Sequence, residues 1–200
     1  MRDELTRRVR AGDEKALAEL FEMERPRLAR IVKFRLDGRL LGRVDIDDVL
    51  QEAYLDAAGR IQHFVGEEEM SFVVWLRLIL NQTLAGVHRR HLGAQARDIR
   101  REQAMGVAAG PDTSVCLARQ LAGDGTSPSG AAMREEASDS LRVALEEMDA
   151  IDREILALRH FEELGNAEAA EVLGISAKAA SMRYVRAISR LKDILAEARE

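Results

Sequence analysis

Apolar residues recur along this chain at three- and four-residue spacing, the period of a helix buried on one face, and no segment shows the alternation of a half-buried strand. Leu17, Leu20, Phe21, Leu28, Ile31 and Val32 mark a first long helix behind Gly12 and Asp13, with Asp13 as its cap and Pro26 as an interruption that bends it. Leu50, Tyr54, Ala57, Ile61 and Phe64 share one face of the next helix, which opens on Asp45, Asp47 and Asp48; carboxylates there suit the positive end of the helix dipole. After a loop at 65–70, Ser71 caps a helix whose inner stripe is Phe72, Leu76, Ile79, Thr83 and Val87, with Trp75 as a core anchor beside it. Leu141, Leu145 and Met148 predict another helix, and Ile155, Leu158 and Phe161 a further one capped by Asp152.

The stretch 163–191, ELGNAEAAEVLGISAKAASMRYVRAISRL, predicts two helices meeting across a tight corner. The first runs from about Ala167 to Leu173 and stops at Gly174, a residue free to take the left-handed conformation; Ser176 caps the second. On that second helix Ala180, Tyr184, Ala187, Ile188 and Leu191 form an apolar stripe, while Lys178, Met182, Arg186 and Ser189 point the other way. As a helix-turn-helix, it would offer Lys178, Ser181, Met182 and Arg186 to base edges in a DNA major groove, with Arg183 and Arg190 placed for phosphates. A plain hairpin of helices with a solvated basic face has the same pattern.

Composition supports an all-helical protein. Three prolines, 4% aromatic residues and abundant Ala, Leu, Glu and Arg favour helices over sheets, and 46% hydrophobic content over 200 residues is enough for real cores. The net charge of −5 argues against a free-standing, non-specific nucleic-acid binder, since phosphate neutralisation supplies most of such affinity. Basic charge is local: Arg77, Arg89, Arg90, Arg97, Arg100 and Arg101 stand against only Asp98 and Glu102. DNA binding therefore calls for a second protein. Cys116 is the single cysteine, so no internal disulfide forms, and no secretion signal or membrane-length apolar run is present; the expected compartment is the cytoplasm.

Several chemistries are set aside. The acidic opening at 45–48 carries Val49 and Leu50 where a calcium loop needs a ligand and a glycine, and His88 and His91 have no third ligand nearby, so no metal and no cofactor is expected. No nucleophile–base pair or phosphate loop appears, and the chain reads as a non-enzyme. On composition alone Asp48, Gln51, Glu52 and Asp56 are a solvated face. Residues 103–137, rich in Gly, Ala, Ser and Asp and broken by Pro111 and Pro128, read as a flexible linker with a weak helix at about Ser114 to Leu121. The expected organisation is a helical domain at 1–102, the linker at 103–137 and a second helical domain at 138–200.

Taken together, the segments resemble a bacterial RNA polymerase sigma factor of the extracytoplasmic-function type. AGDEKALAELFE, DDVLQEAYLDAAGRI and SFVVWLRLILNQTLAGVHRR look like successive segments of region 2 of that family, and LRVALEEMDAIDREILALRHFEELGNAEAAEVLGISAKAASMRYVRAISRLK looks like region 4. The resemblance implies that Asp48, Gln51, Glu52 and Asp56 bind core RNA polymerase. It implies that the loop at 65–70 captures a base flipped from the minus-10 element of promoter DNA, with Asn81, Arg77, Arg89 and Arg90 on the strand, and that the second helix of the helix-turn-helix reads the minus-35 element. An anti-sigma factor is a further implied partner. Two departures stand out: the family's Glu-Ile-Ala and Thr-Val are here Glu168-Ala169-Ala170 and Ala179-Ala180, a loss of about 1 kcal/mol of packing each unless neighbours fill in. The alternative reading is a sigma mimic that sequesters an anti-sigma factor without recognising promoters; an independent helix-turn-helix repressor leaves the N-terminal resemblance unused.

Overall fold

The computed structural model describes residues 1–66, 70–92, 113–122 and 131–197, and the regular elements among them are helices. The chain divides into two compact units, residues 1–110 and 111–200. The first contains α1 (Arg2–Arg10), α2 (Glu14–Arg35), α3 (Ile46–Gly59), α4 (Ile61–Gly66) and α5 (Phe72–Leu92).

Asp13 performs its expected role and one more. Its Oδ1 accepts from the backbone N–H groups of Lys15 and Ala16 at 2.9 and 3.1 Å, which caps α2, while its Oδ2 takes two bonds from the Arg8 guanidinium at 2.9 and 2.7 Å. One carboxylate thus ties the end of α1 to the start of α2, across a turn in which Gly12 takes φ +83°. Those bonds, Arg8 foremost, hold the Asp13 carboxyl below the usual carboxylate range. Downstream, α2 runs unbroken through Pro26. The missing N–H removes one rung of the ladder without ending the helix, because the flanking apolar positions Leu20, Phe21, Leu28 and Ile31 are all buried and hold it in place.

The single helix expected from Leu50 to Phe64 is two: α3 ends at Gly59, Arg60 N–H bonds the Ala57 carbonyl at 3.1 Å, and α4 restarts at Ile61. The break turns Phe64 onto Phe72 and Trp75, with ring centroids 5.4 and 5.1 Å away. Trp75 is buried with the whole stripe Phe72, Leu76, Ile79, Thr83 and Val87, and these residues close one core with α2 and α3.

The second unit holds α6 (Thr113–Ala122), α7 (Ala131–Glu146), α8 (Ala150–Leu156), α9 (Asn166–Leu173) and α10 (Ala177–Glu197). Here α6 and the first turns of α7 occupy positions read as linker, while 103–112 and 123–130 lie outside the described residues. The sequence signal for α6 is weak because it packs on small side chains: Ser114, Cys116 and Ala118 are buried with Leu117. Asp149, not Asp152, caps α8, its Oδ1 accepting from Ile151 N–H at 2.8 Å. After α8 the chain widens into a turn at Ala157–Phe161, where Glu162 N–H reaches the Ala157 carbonyl five residues back at 3.0 Å.

The tight corner forms as its sequence requires. Gly174 adopts φ +62°, ψ 32°, Ile175 N–H bonds the Ala170 carbonyl at 3.0 Å, and Ser176 Oγ accepts from Ala179 N–H at 3.2 Å. Asn166 Nδ2 donates to the Ala177 carbonyl at 2.8 Å and so joins α9 to α10 directly. Ala169 and Ala180 are fully buried, so the helices close onto the small side chains rather than leaving them loose.

Candidate functional site

Three surfaces carry the residues singled out from sequence. The first lies on α3. Asp45 caps the helix through Asp47 N–H at 2.8 Å, and Asp47 pairs with Arg25 of α2 at 3.0 Å, which leaves Asp48 and Gln51 facing outward. Between α2 and α3 runs a groove of about 370 Å³ with Phe21, Leu50 and Tyr54 below and Arg25, Asp48 and Gln51 along its rim. The Phe21 and Tyr54 rings meet edge-on at 5.2 Å, which fixes its floor. The other two expected residues are engaged with α5: Glu52 pairs with Arg90 at 2.7 Å, and Asp56 accepts from Thr83 Oγ1 at 3.2 Å.

Sequence reasoning passed over Leu55. It is 63% exposed at the centre of this acidic face, one turn from Gln51 and Glu52 and two from Asp48. An apolar side chain among carboxylates is what a partner helix can desolvate. The signal was its position outside the buried stripe of α3.

The second surface was expected on α5. Arg89 and Arg90 stand exposed in its last turn, where cations suit the negative helix end. Arg77 is fully buried and Asn81 is 4% exposed, so in this arrangement neither presents its polar head to a strand. Both polar atoms of the Asn81 amide lack a hydrogen-bond partner among the described residues, a costly state for a buried amide. The capture-loop residues 67–69, and Arg97, Arg100 and Arg101, lie outside the described residues. On either side of that loop, Arg10 of α1 donates to the carbonyls of Phe64 and Met70 at 3.2 and 2.7 Å and lies 4.3 Å over the Phe64 ring. His88, considered for metal, instead accepts from Asp37 N–H through Nε2 at 3.1 Å, and burial holds its pKa below the ordinary value. Among the described residues no group of three or more His, Cys, Asp or Glu side chains is placed to hold a metal ion, and no helix is long and apolar enough to cross a membrane.

The third surface is α10. Ala180, Ala187 and Ile194 are buried, so the opposite side is set outward: Lys178, Ser181, Met182, Val185, Arg186 and Ser189 are all exposed. Val185, absent from the expected readers, is as exposed as Met182. The arginines divide differently from expectation. Arg183 donates to Asp152 at 3.0 Å and lies 3.8 Å from Asp149, Arg186 lies 3.4 Å from Asp152, and Arg190 lies 3.5 Å from Glu147. Each cation assigned to phosphate is already matched by a carboxylate from the 147–152 corner.

Geometry defines the class: a two-unit helical protein whose second unit ends in a helix-turn-helix with an outward-facing second helix. The family described as Sigma-70, region 4 has a sequence model that matches residues 138–191, a span that contains α8 to α10 up to Leu191. The RNA polymerase sigma factor NccH of Alcaligenes xylosoxydans xylosoxydans is 27% identical over 197 residues, covering 96% of this chain and 92% of that protein. In fold, the chain is similar to the solved structure of CnrH in complex with the cytosolic domain of CnrY, with a TM-score of 0.52 over 96% of both chains at 22% identity. Residues 138–191 thus match region 4 of the sigma-70 family, and the chain is similar to a sigma factor over nearly its whole length.

Proposed function

We propose that this chain is an initiation factor that binds core RNA polymerase, directs it to a subset of promoters and assists strand opening, in the cytoplasm. The observation that carries the reading is the exposed strip of α10, Lys178 to Ser189, presented by a helix-turn-helix whose corner is fixed by Gly174 and Ser176. The open face of α3, with Asp48, Gln51 and Leu55, supports polymerase binding: carboxylates steer the encounter with a basic partner, and the leucine supplies apolar area. An acidic protein then needs no general DNA affinity of its own, because polymerase provides it. CnrH has been solved with the cytosolic domain of CnrY, which supports an anti-sigma partner for this chain as well.

A second reading, a mimic that captures an anti-sigma factor without recognising promoters, is favoured by the burial of Arg77 and Asn81. Run-off transcription with purified core polymerase on fragments spanning the source genome separates the two. Discrete start sites that depend on the added chain are expected. Polymerase binding without any start site would overturn the initiation reading in favour of the mimic.

A further inference from the structure

Asp152 is left over by the capping of α8. Asp149 already serves the helix N-terminus, yet the Asp152 side chain is only 12% exposed and faces α10 rather than water. Its Oδ1 accepts from Arg183 Nη1 at 3.0 Å, and its Oδ2 lies 3.4 Å from Arg186 Nε, with Arg186 Nη2 at 3.5 Å from Oδ1. The Arg186 side chain is 64% exposed. One edge of a planar guanidinium is therefore turned to the carboxylate, and Nη1 has no partner among the described residues.

An arginine free in water spreads over many rotamers, whereas a planar fork restrained along one edge keeps its remaining donors pointing in one direction. That is the geometry bidentate donation to a guanine O6 and N7 edge needs. The same carboxylate offsets Arg183, and Glu147 offsets Arg190, so the cations flanking the outward strip attract phosphate less than free arginines would.

We propose that Asp152 is a positioning residue for duplex recognition: it holds Arg186 for one base pair and keeps Arg183 from general phosphate binding. The proposal rests on the promoter-reading function above. The test uses holoenzyme reconstituted from core polymerase and the full chain, selected on a randomised duplex pool, with wild type, Asp152→Asn, Arg186→Ala, Arg186→Lys and the double variant Asp152→Asn/Arg186→Ala.

Asp152→Asn is expected to lower preference about fivefold or more at the base pair that Arg186→Ala also loses, to leave other positions intact, and to add nothing in the double variant. Its salt dependence should steepen by roughly one phosphate contact, since a cation is released. Arg186→Lys keeps the charge but not the fork, so it should lose the same base pair even if Asp152→Asn folds poorly. An Asp152→Asn profile equal to wild type, or flattened evenly over positions that Arg186→Ala keeps, would overturn the positioning role; so would a full profile from Arg186→Lys. A wild-type holoenzyme that enriches no duplex would instead overturn the promoter-reading function itself.

Discussion

The two units treat their cations in opposite ways. On α5 of the first unit Arg77 is sealed from solvent, while Asp48 and Gln51 on α3 stand open. On α10 of the second unit Arg186 keeps most of its surface in water, although a buried carboxylate holds one edge. Charge counts alone do not foretell this difference. What decides is which helix face the core takes: α5 is apolar nearly all round and buries Arg77, Asn81, Thr83 and His88 with its apolar side chains, whereas α10 buries the narrow stripe Ala180, Ala187 and Ile194 and leaves Lys178, Ser181, Arg186 and Ser189 outward.

The largest expected effect tests the core that turns α3 outward. Leu50 is fully buried between the groove and the interior, and Leu50→Ala should cost about 2–5 kcal/mol, read as a lower midpoint in urea unfolding. A cost below 1 kcal/mol would show that α3 is not anchored as described. Next in size, Asp48→Arg should weaken polymerase binding about tenfold, mainly through slower association that depends on salt, while leaving the unfolding midpoint close to wild type; equal affinity in a titration would remove α3 from the proposed interface. Gly174→Ala places a Cβ at φ +62° in the corner of the helix-turn-helix, where the surrounding space is open, so the cost is backbone strain of about 1 kcal/mol. No change in thermal midpoint would mean the corner relaxes without strain.

The smallest effect is on pH. Burial keeps His88 neutral by lowering its pKa in the folded chain, so below the ordinary histidine value of 6.5 the unfolded chain takes up more protons than the folded one. Stability is then full above that value and declines as pH falls through it towards the folded pKa. His88→Gln, which keeps an acceptor for Asp37 N–H, should flatten that decline; an unchanged slope would assign it to other groups.

Much of the fold was legible in the sequence wherever one role had a single candidate residue. Asp13, Gly174, Ser176 and Trp75 each do what their type and position imply. Legibility failed where two residues competed for one role, and it thinned where burial left little apolar trace. Asp149 and Asp152 both precede the same hydrophobic run, and only the backbone decides which becomes the cap. The helix Thr113–Ala122 was expected only weakly, at about Ser114 to Leu121, because beside Leu117 it buries a serine, a cysteine and an alanine, residues that also fill linkers.

The candidate surfaces show the same limit. The outward placement of Lys178, Ser181 and Met182 follows from helical period, but the pairing of Arg183, Arg186 and Arg190 with 147–152 depends on how α8 crosses α10, which periodicity does not encode. Leu55 and Val185 escaped notice because an exposed apolar residue looks, in sequence, like one more member of a hydrophobic pattern.

The central claim is that the first unit serves polymerase binding and strand opening while α10 of the second reads duplex DNA. One promoter recovered by run-off transcription, probed for upstream protection and for permanganate-reactive thymines, tests it most directly. With core polymerase and wild-type chain, both signals are expected; Arg186→Ala should weaken upstream protection, and Asp48→Arg should reduce both by lowering polymerase binding. Upstream protection that persists unchanged in Arg186→Ala, or thymines that open equally well with Asp48→Arg, would contradict the account.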